Sequence, residues 1–150
     1  MSAIINQSTD NTYISNLKST VPTPNGVFVV PDYANQSATP VVDAAAGDKP
    51  GLLFVYNQNT HIDQELVADA DFVVPADNFL RLKSFLPGNT LTTDQFTGDI
   101  STFNKNDIVA VGTGGKLEAI GTRSPALTFV VKETTTLYGK PALKVQVLTV

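Results

Sequence analysis

The chain has 150 residues, a net charge of −4 and no cysteine, which excludes disulfides, thiolate metal sites and a cysteine nucleophile. Charged residues make up only 16%, against roughly 25% in ordinary soluble chains. Lys and Arg are scattered without a run, so neither nucleic acid nor an anionic membrane is expected as a main partner.

A chain of this length can bury about 68–70% of its unfolded surface, so it needs no metal to fold. No stretch approaches the ~18 apolar residues of a membrane span. The opening residues, MSAIINQSTDN, lack a basic n-region and an apolar run of signal-peptide length, so synthesis in a cytosol is expected.

Residues 1–25 are rich in Ser, Thr, Asn and Gln, with sparse apolar side chains at Ile4, Ile5, Tyr13, Ile14 and Leu17. They are expected to form an extended N-terminal arm whose apolar residues contact a partner, with a frayed terminus as the plainer alternative. Residues 26–150 are expected to form a single β domain. After the Asn25-Gly26 turn signal, Val27 to Val30 is a short β-branched run stopped by Pro31, which predicts a strand. Residues 32–51 predict a long loop with room for a short strand at Val41-Val42. Leu52 to Tyr56 is continuously apolar, so it predicts a central strand.

His61, Asp63 and Glu65 alternate, and on a strand they would share one face. One imidazole with two carboxylates could hold a cation weakly. A solvated strand face accounts for them better, and no metal or other cofactor is expected. Phe72 to Pro75 repeats the FVVP of Phe28 to Pro31, but the flanks do not match, so shared strand composition explains it better than duplication. Residues 75–86, PADNFLRLKSFL, fit a helix capped by Asp77 or Asn78 or a strand with Leu80, Leu82 and Leu86 on one face. The β-rich surroundings favour the strand. In the Thr- and Gly-punctuated stretch that follows, Leu91 and Phe96 are the expected buried anchors.

Residues 103–121, FNKNDIVAVGTGGKLEAIG, predict a β-hairpin. Val109 and Val111 share a face on the outgoing arm, and Leu117 and Ala119 share one on the return. Glycines at the turn allow the positive φ that a tight hairpin needs. The segment fails as a phosphate loop, because Ala110 stands where the first glycine belongs and Leu117 follows the lysine in place of Ser or Thr. A second hairpin follows. Leu127, Phe129 and Val131 face in on its first arm, and Leu143, Val145 and Val147 on its second, around a turn at Tyr138-Gly139-Lys140-Pro141. Strands at short spacing with Gly and Pro turns predict an all-β fold, a small barrel or sandwich of antiparallel hairpins. The lone histidine has no G-x-S-x-G elbow to serve, and no enzyme is expected.

Four segments together form a pattern: Phe79-Leu80-Arg81-Leu82, Pro87 to Leu91, Phe103 to Val111, and Gly115-Lys116-Leu117. The pattern resembles the capsid decoration (cement, or head auxiliary) proteins of tailed bacteriophages. In those, a Gly/Asn-Asp-aliphatic strand precedes a Gly-rich turn and a Gly-Lys-Leu return strand. Here Asn106 stands where they often carry glycine before the aspartate. The resemblance implies a structural virion protein on the capsid surface, made in the host cytoplasm. It would bridge major capsid subunits, as a dimer or trimer, with no catalytic residue. The alternatives are a receptor- or carbohydrate-binding module of a phage fibre, a head–tail adaptor, and a tail-tube protein.

Overall fold

The structure is a computed structural model that describes residues 3–7 (for 4–7 the backbone), 14–57, 73–137 and 139–150. It is all-β, with a curled half-barrel sheet and further, mostly antiparallel, pairings. The strands are β1 Ala3–Gln7, β2 Lys18–Ser19, β3 Thr23–Pro24, β4 Phe28–Asp32, β5 Ser37–Pro40, β6 Leu53–Val55, β7 Val73–Val74, β8 Leu82–Lys83, β9 Thr90–Thr93, β10 Ile108–Val111, β11 Leu117–Ala119, β12 Thr128–Leu137 and β13 Lys140–Thr149. One short helix, α1, spans Ala44–Gly47.

The larger sheet runs β1-β9-β13-β12-β10-β11, antiparallel throughout. The two hairpins read from the sequence form four of its six strands. Phe129, Val131, Leu143, Val145 and Val147 point into one core, as their alternation requires. Register shifts lie between Val131 and Glu133 and between Thr128 and Phe129, and bulges of this kind bend a strand and increase its twist. β9 is a central strand although its sequence is TLTT. Leu91 fills the core, while Thr92 and Thr93 are also buried. The Thr93 hydroxyl donates to the Gly26 carbonyl at 3.1 Å, which ties this sheet to the smaller one.

The smaller sheet runs β2-β5-β4-β6-β8, with β2 and β5 parallel. Its two ends meet. Ile14 N donates to Leu82 O and Leu82 N to Ile14 O, both at 2.9 Å. Leu80 N donates to Leu17 O, Ser19 N to Asn78 O and Asp77 N to Ser19 O, each also at 2.9 Å. Residues 14–19 and 77–82 are thus an antiparallel seam, and the sheet is a small closed barrel. Closure removes the unpaired edges that would otherwise attract other strands. The barrel is filled by Leu17, Val27, Val29, Ala38, Leu53, Val55, Leu80 and Leu82, and the β3–β7 pair adds Val74.

Alternation along β4 and β6 gives each a second buried face. Phe28 and Phe54 point out of the barrel into the core of the larger sheet, where Phe54 meets Phe28 at 5.1 Å and Phe85 at 5.3 Å between ring centres. Phe28 reaches Phe129 at 5.5 Å. Two cores therefore lie back to back, sharing β4 and β6 as a wall. This is why Leu52 to Tyr56 carries no polar alternation. At the barrel rim the Asn25 side chain stands in for a strand. Its amide donates to Asn57 O at 2.8 Å, and its carbonyl accepts from Asn57 N at 2.7 Å.

Several local expectations change. β4 continues through Pro31 to Asp32, because only the neighbours on either side, and not the proline nitrogen, need donate to the ladder. The loop over 32–51 contains β5 and α1. Its strand is Ser37–Pro40, not Val41-Val42: Val41 is buried in the core and Val42 is exposed. Asp43 caps α1 by accepting from Ala46 N at 2.8 Å. Residues 75–86 are extended, as favoured, but the face assignment shifts. Leu80 and Leu82 enter the barrel, Leu86 is exposed, and Lys83 is only 2% exposed. The second FVVP copy contributes only β7, paired with β3, and so is not a duplicate of β4.

Candidate functional site

The residues expected to meet a partner separate in the structure. Ile4 and Ile5 lie in β1, opposite Thr92 and Leu91 of β9. Tyr13 lies outside the described residues. Ile14 is half-buried against the barrel core, and Leu17 is completely buried within it. Of the expected arm over 1–25, the stretch from Ile14 to Ser19 is thus part of the barrel wall, and Leu17 offers no surface to a partner. His61, Asp63 and Glu65 lie outside the described residues, and among the described residues no group of three or more His, Cys, Asp or Glu side chains could hold a metal.

The hairpin over 103–121 forms as expected, and its surroundings explain its residues. Val109 pairs with Ala119 and Val111 with Leu117. The turn is a 3-10 turn, Thr113–Gly115, lying over the barrel. Gly115 has φ +74°, and a Cβ there would fall on the Phe28 backbone. Only glycine meets both demands. At the start of the hairpin Asn106 has φ +73°, the left-handed region that glycine enters freely and asparagine enters best among the rest. The departure from the decoration-protein pattern is therefore conformationally neutral. Asn106→Gly is expected to hold or raise the unfolding free energy by up to about 1 kcal/mol, and Asn106→Val to lower it by about 1–2 kcal/mol, by urea denaturation.

Arg123 anchors the far side of the same hairpin. Its Nε donates to Asp48 Oδ1 at 2.9 Å and its Nη1 to Glu118 Oε1 at 2.7 Å. Its Nη2 donates to the carbonyls of Val111, at 2.6 Å, and Ala44, at 3.1 Å. One planar fork thus joins α1, β10 and β11. Arg123→Ala is expected to cost about 2–3 kcal/mol, less than a fully buried pair because Asp48 and Glu118 keep some solvent. Arg123→Lys should recover only a minor part of that loss, since an ammonium cannot serve four acceptors in one plane.

Two surface depressions accompany these elements. A cavity of about 270 Å³ lies between the hairpin and the 97–103 loop, lined by Thr97, Thr102, Phe103, Asp107 and Ile120. Its carboxylate, Asp107, accepts from Asn104 N at 2.8 Å and so holds the turn. A smaller groove of about 110 Å³ is lined by Pro50, Leu52, Phe85, Leu127 and Val150. Among the described residues the larger exposed apolar side chains include Leu86 at 54%, Val150 at 56% and Phe79 at 56%. The Lys18 ammonium sits 5.1 Å from the centre of the Phe79 ring.

Two surface aspartates have carboxyls held below the ordinary value. The Asn35 side-chain amide, then its backbone N–H, donates to Asp32. The Ser101 N–H, then its hydroxyl, donates to Asp99. A depressed folded-state pKa contributes stability above the unfolded value and loses it as pH falls through the folded one. Both contributions are thus present at neutral pH and fade below about pH 4. Asp99→Asn is expected to make the acid limb of the stability curve shallower, by thermal melts between about pH 7 and pH 3.

No family model, curated protein or solved structure matches the chain. The resemblance to phage decoration proteins therefore stands on the residues alone.

Proposed function

We propose that this is a structural virion protein that binds the outer surface of a tailed-phage capsid and stabilises contacts between major capsid subunits. The observation that carries the reading is the 103–121 hairpin. Its Asn-Asp-aliphatic strand, glycine turn and Gly-Lys-Leu return are the residues of the resemblance, and Asn106, Gly114 and Gly115 take positive φ in a hairpin that forms. Supporting features are the low fraction of charged residues and an all-β body with two packed cores.

The test is co-sedimentation with empty shells assembled from the major capsid protein of the phage whose genome encodes this chain. Saturable binding in many copies per shell, with a raised shell melting temperature, is expected. No binding would sink the reading. A single ring of copies at one vertex would move the protein to the adaptor class.

A further inference from the structure

The turn between β3 and β4 is Asn25-Gly26, and no other asparagine in the chain precedes a glycine. Asparagine before glycine is the dipeptide most prone to deamidation, because a glycine nitrogen with no side chain beside it reaches the asparagine Cγ unhindered. Here the groups that the reaction needs are already engaged. The Asn25 carboxamide, only 9% exposed, is held on both sides by the Asn57 backbone. Gly26 N donates to Val55 O at 2.9 Å, and Gly26 O accepts from the buried Thr93 hydroxyl. Asn57 is held in turn. Its Oδ1 accepts from Arg81 N at 2.8 Å, and its Nδ2 donates to Phe79 O at 3.4 Å.

These bonds join the start of β4, the end of β6 and the 77–82 segment around the barrel rim. While they stand, the Gly26 N–H stays turned toward β6 and the Asn25 carboxamide is kept from swinging onto the nitrogen. One opening of the rim frees both groups at once, and local openings cost less than unfolding the whole body.

We propose that Asn25 is a dormant deamidation site: it converts only when the barrel rim opens, and its conversion then keeps the rim from closing. In the opened turn the Gly26 nitrogen gives up its proton and bonds to Asn25 Cγ. The Cγ–Nδ2 bond breaks, and Nδ2 leaves with that proton as ammonia. Water, the only other reactant, opens the resulting succinimide ring at either carbonyl, which gives aspartate or isoaspartate. An aspartate has no hydrogen to offer Asn57 O, so a carboxylate faces a carbonyl in a nearly buried site. An isoaspartate routes the main chain through the former side chain, one carbon longer, and so draws Gly26 away from Val55 O and the Thr93 hydroxyl. The proposal does not depend on the capsid reading, and it can be tested without shells.

The experiment holds the full chain in warm, mildly alkaline buffer, folded and in urea, and follows position 25 by peptide mapping that separates asparagine, aspartate and isoaspartate. Conversion in the folded chain is expected to be at least about tenfold slower than in urea, because the hydrogen bonds around the turn must open first. Asn57→Ala removes the two side-chain bonds that hold Asn57 in place. It should raise the folded rate at least about threefold and leave the rate in urea unchanged. Asn25→Asp, which carries one product from the start, should lower the melting temperature by at least about 4 °C. The rate comparison uses the natural chain, so it decides the matter even where Asn25→Asp fails to fold. Three results would overturn the proposal: a folded chain that converts as fast as in urea, an Asn57→Ala folded rate no higher than the natural one, or an Asn25→Asp melting temperature within about 2 °C of the natural chain's.

Discussion

Removing residues 1–20 is expected to leave a chain that does not fold, whereas removing residues 1–9 should leave a cooperative, slightly less stable protein. The shorter cut takes away β1, which pairs with β9 at the margin of the larger sheet. The longer cut opens the barrel. It deletes Leu17, fully buried in the inner core, and Ser19, whose hydroxyl donates to Pro75 O at 2.7 Å. It also strips β5 of its parallel neighbour and the 77–82 segment of its antiparallel one. Truncating one buried leucine to alanine costs about 2–5 kcal/mol. Losing it together with the seam should consume most of the roughly 5–15 kcal/mol that holds an ordinary domain folded. Circular dichroism melts of both truncations decide the matter. A 1–20 deletion that melts cooperatively within a few degrees of the full chain would show that the seam is dispensable.

Phe54→Ala is expected to lower the unfolding free energy by about 3–5 kcal/mol, the range for emptying a buried aromatic site. The residue is fully buried and lies on the wall between the two cores, between the rings of Phe28 and Phe85. Aromatic pairs at such distances add about 0.5–1.5 kcal/mol beyond the area that they bury. The loss should appear as a lower urea midpoint with an unchanged slope, because the whole body still unfolds as one. Phe54→Leu, which refills much of the volume, should cost less than half as much. A Phe54→Ala loss under about 1.5 kcal/mol, outside the range for such sites, would mean that the barrel and the larger sheet are not joined through this ring.

Much of this architecture could be read from residue order because its signals are local. The alternation of Leu127, Phe129 and Val131 and of Leu143, Val145 and Val147 needs no tertiary knowledge to place, nor does the glycine turn between β10 and β11. The unbroken apolar run at Leu52 to Tyr56 announced a central strand, and β6 lies between β4 and β8 with both faces buried. What escaped was decided by partners far along the chain. β9 is polar in composition, yet it is a central strand because β1 and β13 supply its ladders. Ile14 and Leu17 show no period-two pattern, so only the 77–82 segment reveals them as barrel wall. Lys83 alternates with Leu82 as an exposed residue should, but it stands opposite Phe54 of β6 and is only 2% exposed.

The seam has a temporal consequence during synthesis. Residues 14–19 emerge from the ribosome first and must wait until residues 77–82 follow before the ring can close. Until then β4 and β6 offer unshielded aliphatic and aromatic faces, and pairing across long sequence separations is intrinsically slow. A nascent chain stalled ahead of Leu82 should therefore recruit chaperones, and one released beyond Thr149 should not.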